Sequence, residues 1–282
     1  MKGLALVFVA AAFASLAPAM PALAAEDAAW TACEGDDTKA SIEGCTKVIL
    51  RGAKEKKADL AIAYTNRGIS YADLGNKAKA IEDYTAAIKL DPTYADAWYN
   101  RGNERDDLGD HDKAITDYSE AIRLRPSDPD AWNNRGLVRR NKGEVDLALA
   151  DYNKALSLAP DDVDALINRG NAYSDKDDFE KALADYNKAG RINPKNADIW
   201  YNRGVLYRDA SKFDDAIRDF TKTLSVDAKY ADALFNRGQI YADRKDFDRA
   251  IADLTAALKL NPDDADYKEG LAQAQNGKKS KR

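Results

Sequence analysis

Trp98-Tyr99-Asn100-Arg101-Gly102 ends on a tripeptide, Asn-Arg-Gly, that recurs at 66–68, 134–136, 168–170, 202–204 and 236–238. Successive copies lie 34 residues apart without one insertion or deletion. So strict a period describes a stack of like supersecondary units. Phased to begin at Ala61, Ala95, Pro129, Val163, Ala197 and Ala231, the units are 61–94, 95–128, 129–162, 163–196, 197–230 and 231–264. Each has room for two helices. In the unit from Ala95, the residues Trp98, Arg101, Gly102 and Arg105 fall at i, i+3, i+4 and i+7, one face of a first helix. Ala114, Tyr118, Ala121 and Ile122 form the stripe of a second, and Pro126 closes the unit because proline cannot continue a helix. Gly102 and Ala114 recur as Gly68/Ala80, Gly136/Ala148, Gly170/Ala182, Gly204/Ala216 and Gly238/Ala250, small residues expected to let the two axes approach. Glycine inside a helix costs about 1 kcal/mol relative to alanine, so its retention in every unit argues for packing.

The Trp-Tyr-Asn-x-Gly run, the alanine opening the second helix, Tyr118, Ala121 and Pro126 resemble the tetratricopeptide repeat family place by place, across 61–264. The resemblance implies an all-α superhelical solenoid of helix-turn-helix units. One departure is shared by all six units: arginine stands where the family usually has leucine, and aspartate where it often has tyrosine. The pairs are Arg67/Asp83, Arg101/Asp117, Arg135/Asp151, Arg169/Asp185, Arg203/Asp219 and Arg237/Asp253. Each arginine lies on the face that meets the second helix, and each aspartate follows the small alanine by three residues. A partly buried, charge-assisted bond between the two helices is expected. A matched carboxylate neutralises each guanidinium, which makes the arginines architecture rather than a grip on an anionic ligand.

The opposite stripe of the first helix, Asp96, Asn100, Asn103 and Asp107, points away from its partner, and the resemblance implies that this face lines the inner groove. It carries a ladder of asparagines: Asn66, Asn100, Asn134, Asn168, Asn202 and Asn236. An amide donates to and accepts from one peptide unit at once, so the ladder suits an extended peptide of any sequence; the alternative is that it only joins neighbouring repeats. Six such contacts at about 0.5–1.5 kcal/mol each give weak binding by themselves, since ordering a peptide costs about 1–2 kcal/mol per residue. Selectivity then falls to the residues beside the ladder, Tyr99, Asn133, Tyr201 and Phe235 on one side and Asn103 and Asn171 on the other. Aspartates edge the groove. Chaperone-binding members of the family clamp a C-terminal carboxylate with lysines and arginines at these places, and lysine is missing from all of them here, so a neutral or basic extended segment is the expected partner.

Outside the repeats, Met1 to Ala24 has Lys2, an apolar run from Gly3 to Ala17, and Ala22-Leu23-Ala24, the pattern of a secretory signal peptide cut after Ala24. Export, periplasmic or beyond, follows, with no membrane span expected in the mature chain. Cys33 and Cys45 are the only cysteines and read as a disulfide in an exported chain. Residues 25–60 form a degenerate helical hairpin and linker, in which the second helix begins about five residues early. Residues 265–277 form a capping helix stopped by Gly277, and 278–282 a basic tail. Of 43 basic residues, Lys2 falls in the leader and four in the tail, leaving 38 against 48 acidic ones. Such a body does not suit a phosphate backbone, which excludes nucleic acid as a partner. The single histidine, His111, is read as a surface residue in a turn; no activated nucleophile, phosphate loop, metal set or cofactor motif is found. The function expected is a non-enzymatic protein- or peptide-binding scaffold. The alternatives are a self-associating spacer, or an accessory factor of envelope polysaccharide or secretion machinery that binds glycan through Tyr99, Tyr201 and Phe235. Oligomeric state is left open.

Overall fold

A computed structural model describes residues 27–280. The leader and the last two residues lie outside them. Fifteen α-helices follow one another among the described residues, with no strand. α1 (Ala28–Cys33) and α2 (Thr38–Leu50) form the N-terminal hairpin. The six repeats are α3 (Lys57–Asp73) with α4 (Lys77–Leu90), α5 (Ala95–Asp107) with α6 (His111–Leu124), α7 (Pro129–Asn141) with α8 (Val145–Leu158), α9 (Val163–Ser174) with α10 (Phe179–Ile192), α11 (Ala197–Asp209) with α12 (Phe213–Val226), and α13 (Ala231–Asp243) with α14 (Phe247–Leu260). α15 (Ala265–Ser280) covers the end. None of these helices is long and apolar enough to cross a membrane.

Every helix packs on the one before it, and first helices of successive repeats also touch one another, α3 on α5, α5 on α7, α7 on α9 and α9 on α11. The first helices therefore lie on the inner side of the curve. What lies nearest each of their glycines is not the recurring alanine but the side chain four residues after it. A Cβ on Gly102 would sit 2.9 Å from Cδ1 of Tyr118, and Gly68, Gly136 and Gly170 face Tyr84, Tyr152 and Tyr186 in the same way. The small residue makes room for an aromatic ring, and the alanines lie buried beside it. The first five repeats thus each seat a ring on their own glycine, Phe220 on Gly204 in the fifth, and the sixth seats Leu254 on Gly238.

Turns inside the repeats keep a left-handed residue at one place: Gly75, Gly109 and Gly143, then Asp177, Ser211 and Lys245, all with φ between 57° and 80°. The first three have no Cβ and carry that backbone freely, whereas the last three are strained by their side chains.

Three sequence boundaries shift. α3 begins at Lys57, so the end of the 25–60 segment is the first turn of a repeat helix, with Lys57 and Ala58 exposed and Leu60 buried. His111 is the first residue of α6, with Nδ1 3.0 Å from Oδ1 of Asp106. Gly277 does not stop α15: the helix runs on to Ser280, because Gly277 is the point where Phe247 packs, a Cβ there lying 2.5 Å from its Cε1. Lys278 then reaches Asp248, as Lys142 reaches Asp112 and Arg244 reaches Asp214 in the repeats.

In the hairpin, Cys33 and Cys45 are disulfide-bonded and buried. Gly44 lets α1 press onto α2; a Cβ there would meet the backbone of Ala29 and Cys33 within 2.7 Å.

Candidate functional site

Each repeat arginine makes two parallel hydrogen bonds to its aspartate. Nε and Nη2 of Arg101 lie 2.9 and 2.8 Å from Asp117, those of Arg135 3.0 and 2.7 Å from Asp151, and those of Arg169 2.8 and 2.7 Å from Asp185. Arg67, Arg203 and Arg237 repeat the geometry on Asp83, Asp219 and Asp253. Hydrogen bonding to the carboxylate pushes the Arg67, Arg169, Arg203 and Arg237 guanidinium groups above their ordinary value, which keeps them charged although half-buried. Two aspartates take a third donor: Asp117 from Arg105 at 2.7 Å and Asp151 from Arg139 at 2.7 Å.

The remaining nitrogen, Nη1, bonds backwards to the preceding unit. Arg101 donates to Thr85, Arg135 to Ser119, Arg169 to Asn153, Arg203 to Asn187 and Arg237 to Thr221. Arg67 donates to Thr46 of the hairpin across 21 residues instead of 16, which registers its five-residue slip. Each guanidinium therefore joins three helices in two repeats. The acceptors at 85, 119, 153, 187 and 221 recur every 34 residues as Thr, Ser, Asn, Asn and Thr, a hydroxyl-or-amide column whose meaning only the third hydrogen bond reveals. Trp98, Trp132 and Trp200 lie under Arg101, Arg135 and Arg203 with ring centroids 4.8–4.9 Å from the guanidinium carbon.

On the inner face of the first helices, the asparagines divide. Asn134 Nδ2 donates to Tyr99 Oη at 3.0 Å and to Asn103 Oδ1 at 3.2 Å, Asn168 to Asn133 at 3.1 Å, and Asn236 to Tyr201 at 3.4 Å. These three tie one repeat to the one before. Asn66, Asn100 and Asn202 are half-buried, with side-chain amides that make no hydrogen bond among the described residues. Asn103 and Asn171 accept from the hydroxyls of Tyr118 and Tyr186 below them, so they are partly engaged as well.

The aromatic residues beside the ladder also face inward. Tyr99 packs on Tyr118, Tyr201 on Tyr230 with centroids 4.8 Å apart, and Phe235 stacks on Tyr267 of α15 at 4.8 Å. Asn133 is buried, with 9% of its surface exposed. The Tyr99 and Tyr201 rings thus pack within their own repeats, and Phe235 packs on the helix that follows its repeat.

Several acids at the groove edge are answered by cations of the same chain. Arg125 holds Asp96 at 2.7 Å, Lys77 holds Asp107 at 2.6 Å, and Arg140 holds Asp175 through two bonds of 2.6 and 3.0 Å. At the centre, desolvation raises the pKa of Asp130, and the neighbouring carboxylates Asp128, Asp162 and Asp164 push it further in that direction. Among the described residues no group of three or more His, Cys, Asp and Glu side chains is placed to hold a metal ion.

Comparison with known proteins agrees with this architecture. Models described as tetratricopeptide repeat match residues 99–163, 201–265 and 242–280, others of the same description match 61–94 and 151–184, and one described as TPR repeat matches 170–208. The chain belongs to the tetratricopeptide repeat family. Among solved structures it is similar to a chain of the APC/C hetero-tetramer Cut9–Hcn1, at 21% identity and a TM-score of 0.71, over 87% of this chain and 48% of that one. It thus spans about half of that relative. A tetratricopeptide repeat protein from Parabacteroides merdae is 20% identical with a TM-score of 0.69, over 88% and 96% of the two chains. YrrB, described as a TPR protein with an unusual peptide-binding site, is 24% identical with a TM-score of 0.56, over 68% and 97%. At these identities the likeness is one of fold. No curated protein sequence matches the chain.

Proposed function

We propose that the chain is an exported, non-enzymatic scaffold that holds an extended protein segment along the face made by its first helices. The observation that carries this is the division of the ladder: Asn66, Asn100 and Asn202 present free amides on a face whose other asparagines are occupied by neighbouring repeats. A free amide beside an apolar surface pairs with a peptide unit by one donor and one acceptor. Asp130, Asp162 and Asp164, which make no ion pair among the described residues, favour a neutral or basic segment, since an acidic one adds to their repulsion. YrrB, described as a TPR protein with an unusual peptide-binding site, supports a peptide as the ligand. The disulfide and the leader together support export to the periplasm or beyond.

The test is a display library of random dodecapeptides selected on the purified full chain, followed by affinity measurement against the Asn100→Ala, Asn202→Ala double variant. Two lost hydrogen bonds remove about 1–3 kcal/mol, an affinity loss of roughly 5- to 150-fold. Unchanged affinity, with helicity retained, sinks the groove reading.

A further inference from the structure

The N-terminal hairpin departs from the repeat in a way that opens space. α1 has six residues where α5, α7, α11 and α13 each have thirteen. About two turns are missing, and the chain passes through 34–37 directly into α2. In their place is a notch of about 300 Å³ between that turn and α3, whose lining includes Cys33, Glu34, Asp36, Asn66, Ile69 and Asp73. Ile69 is 40% exposed there, whereas Leu137 and Val205, its counterparts in later repeats, are half-buried. Thr31 stands where Tyr99, Asn133 and Tyr201 hold the ladder asparagines of the next repeat, but its hydroxyl turns back to the Asp27 carbonyl, leaving the Asn66 amide unpartnered.

The notch is preformed. Its wall is pinned by the Cys33–Cys45 disulfide and by a buried chain in which Ser70 donates to Ser41 at 3.0 Å and Ser41 donates to the Cys33 carbonyl at 3.1 Å. Glu34, Asp36 and Asp73 make no ion pair among the described residues, although Asp107, one repeat beyond Asp73, is held by Lys77. Nor are Glu34 and Asp36 needed to cap α2, since Asp37 does so, accepting from Ala40 N at 2.7 Å.

We infer that this notch receives the side chain of a lysine or arginine of the bound segment, its aliphatic stem against Ile69 and Cys33 and its charged head among Glu34, Asp36 and Asp73. A long basic side chain is apolar along its length and charged at its tip, matching the floor and rim of the notch. The volume suits one side chain, lying at the lower limit of pockets that enclose whole small ligands. The inference rests on the groove reading and adds a register to it: the basic residue marks the end of the segment that lies at the hairpin.

The probe is the tightest dodecapeptide from the library, with each of its lysines and arginines replaced in turn by norleucine. Affinities are measured by fluorescence anisotropy against the full chain and against the Glu34→Gln, Asp36→Asn, Asp73→Asn variant, at low and high salt. Exposed charge pairs are individually weak and screened, so the three carboxylates together are expected to contribute about tenfold. One basic position should lose about tenfold on the parent chain and nothing on the variant, a coupling that isolates the pair. High salt should shrink it. A peptide that needs Asn100 and Asn202 but shows no coupled basic position overturns the notch and leaves the groove standing. Coupling in a peptide indifferent to Asn100 and Asn202 supports the notch and removes the groove. A library that yields no binder overturns both.

Discussion

Tyr152 is fully buried, and its hydroxyl has no hydrogen-bond partner among the described residues. In the second and fourth repeats the equivalent hydroxyls of Tyr118 and Tyr186 donate to Asn103 and Asn171. The third repeat has Leu137 at the asparagine position and keeps the tyrosine; the fifth has Val205 there and uses Phe220. Burial without a partner costs a hydroxyl about 1–3 kcal/mol. Tyr152→Phe removes that oxygen alone and leaves the ring seated on Gly136, so it should stabilise the chain by most of that amount. For a chain of this size the melting temperature moves by roughly 2–4 °C per kcal/mol. The assay is thermal and urea unfolding followed by far-ultraviolet circular dichroism. Midpoints are compared rather than extrapolated free energies, since repeat arrays depart from two-state behaviour. Leu137→Asn in the parent chain should also raise the midpoint by supplying an acceptor. Tyr118→Phe is the control of opposite sign, because it deletes a bond that exists, worth about 0.5–1.5 kcal/mol. Tyr152→Phe that shifts the midpoint downward alongside Tyr118→Phe refutes the reasoning, and means the hydroxyl has found a partner such as a buried water.

Asp151→Ala strips three hydrogen bonds from Arg135 and Arg139 and leaves two guanidinium groups behind; a cost of about 3–5 kcal/mol is expected, well above that of Asn134→Ala, and the reverse order in thermal melts would show that the pair is dispensable. Thr85→Val removes the backward bond of Arg101; a hydrogen bond to a charged group contributes about 1.5–3 kcal/mol, and the loss should appear as a broader unfolding transition, as coupling between repeats weakens. Ser211 holds a left-handed backbone at φ 58°, so Ser211→Gly should stabilise by up to about 1 kcal/mol, whereas a lower midpoint would place the strain elsewhere. Arg51, hydrogen-bonded to Asp27, lowers the pKa of that carboxyl to about 2; a depressed folded-state value means stability present above about pH 4 and lost as pH falls toward 2, so hydrogen exchange at α1 should quicken over that window and Asp27→Asn should abolish the dependence.

Much of this architecture is legible in one tripeptide because its period is free of insertions. Helix spacing puts Arg101 on the face toward α6, and the recurrence of Asp117 sixteen residues later marks where its bond goes. What stays hidden is everything that crosses from one repeat to the next. Tyr99 and Tyr201 look like groove residues when one helix is inspected, yet Tyr99 accepts from Asn134 and Tyr201 from Asn236, each 35 residues on. Thr85 looks like an ordinary polar residue of a second helix until Arg101 is seen to need a third acceptor. Position on a helix determines the face a residue occupies, but the occupant opposite depends on the rise and rotation between repeats, which no single 34-residue unit contains. The hairpin is harder still, for its register slips by five residues and the notch exists only as helix that is missing.

The three residues of the motif divide the work of the fold by angle. Successive residues of an α-helix are about 100° apart around the axis, so Asn100, Arg101 and Gly102 project in three directions. Asn100 lies on the inner face, Arg101 bonds Asp117 and Thr85, and Gly102 admits the ring of Tyr118. Inserting one residue before Arg101 would rotate the brace by about 100° against the groove, leaving Asp117 buried without its main cation and a side chain driven against Tyr118. A deletion would do the same in the other sense. Arg101 also reaches back to Thr85, so the misplacement would pass into the preceding repeat. The strict spacing is therefore a mechanical requirement of a brace that spans two units, and the groove inherits its regular ladder from it.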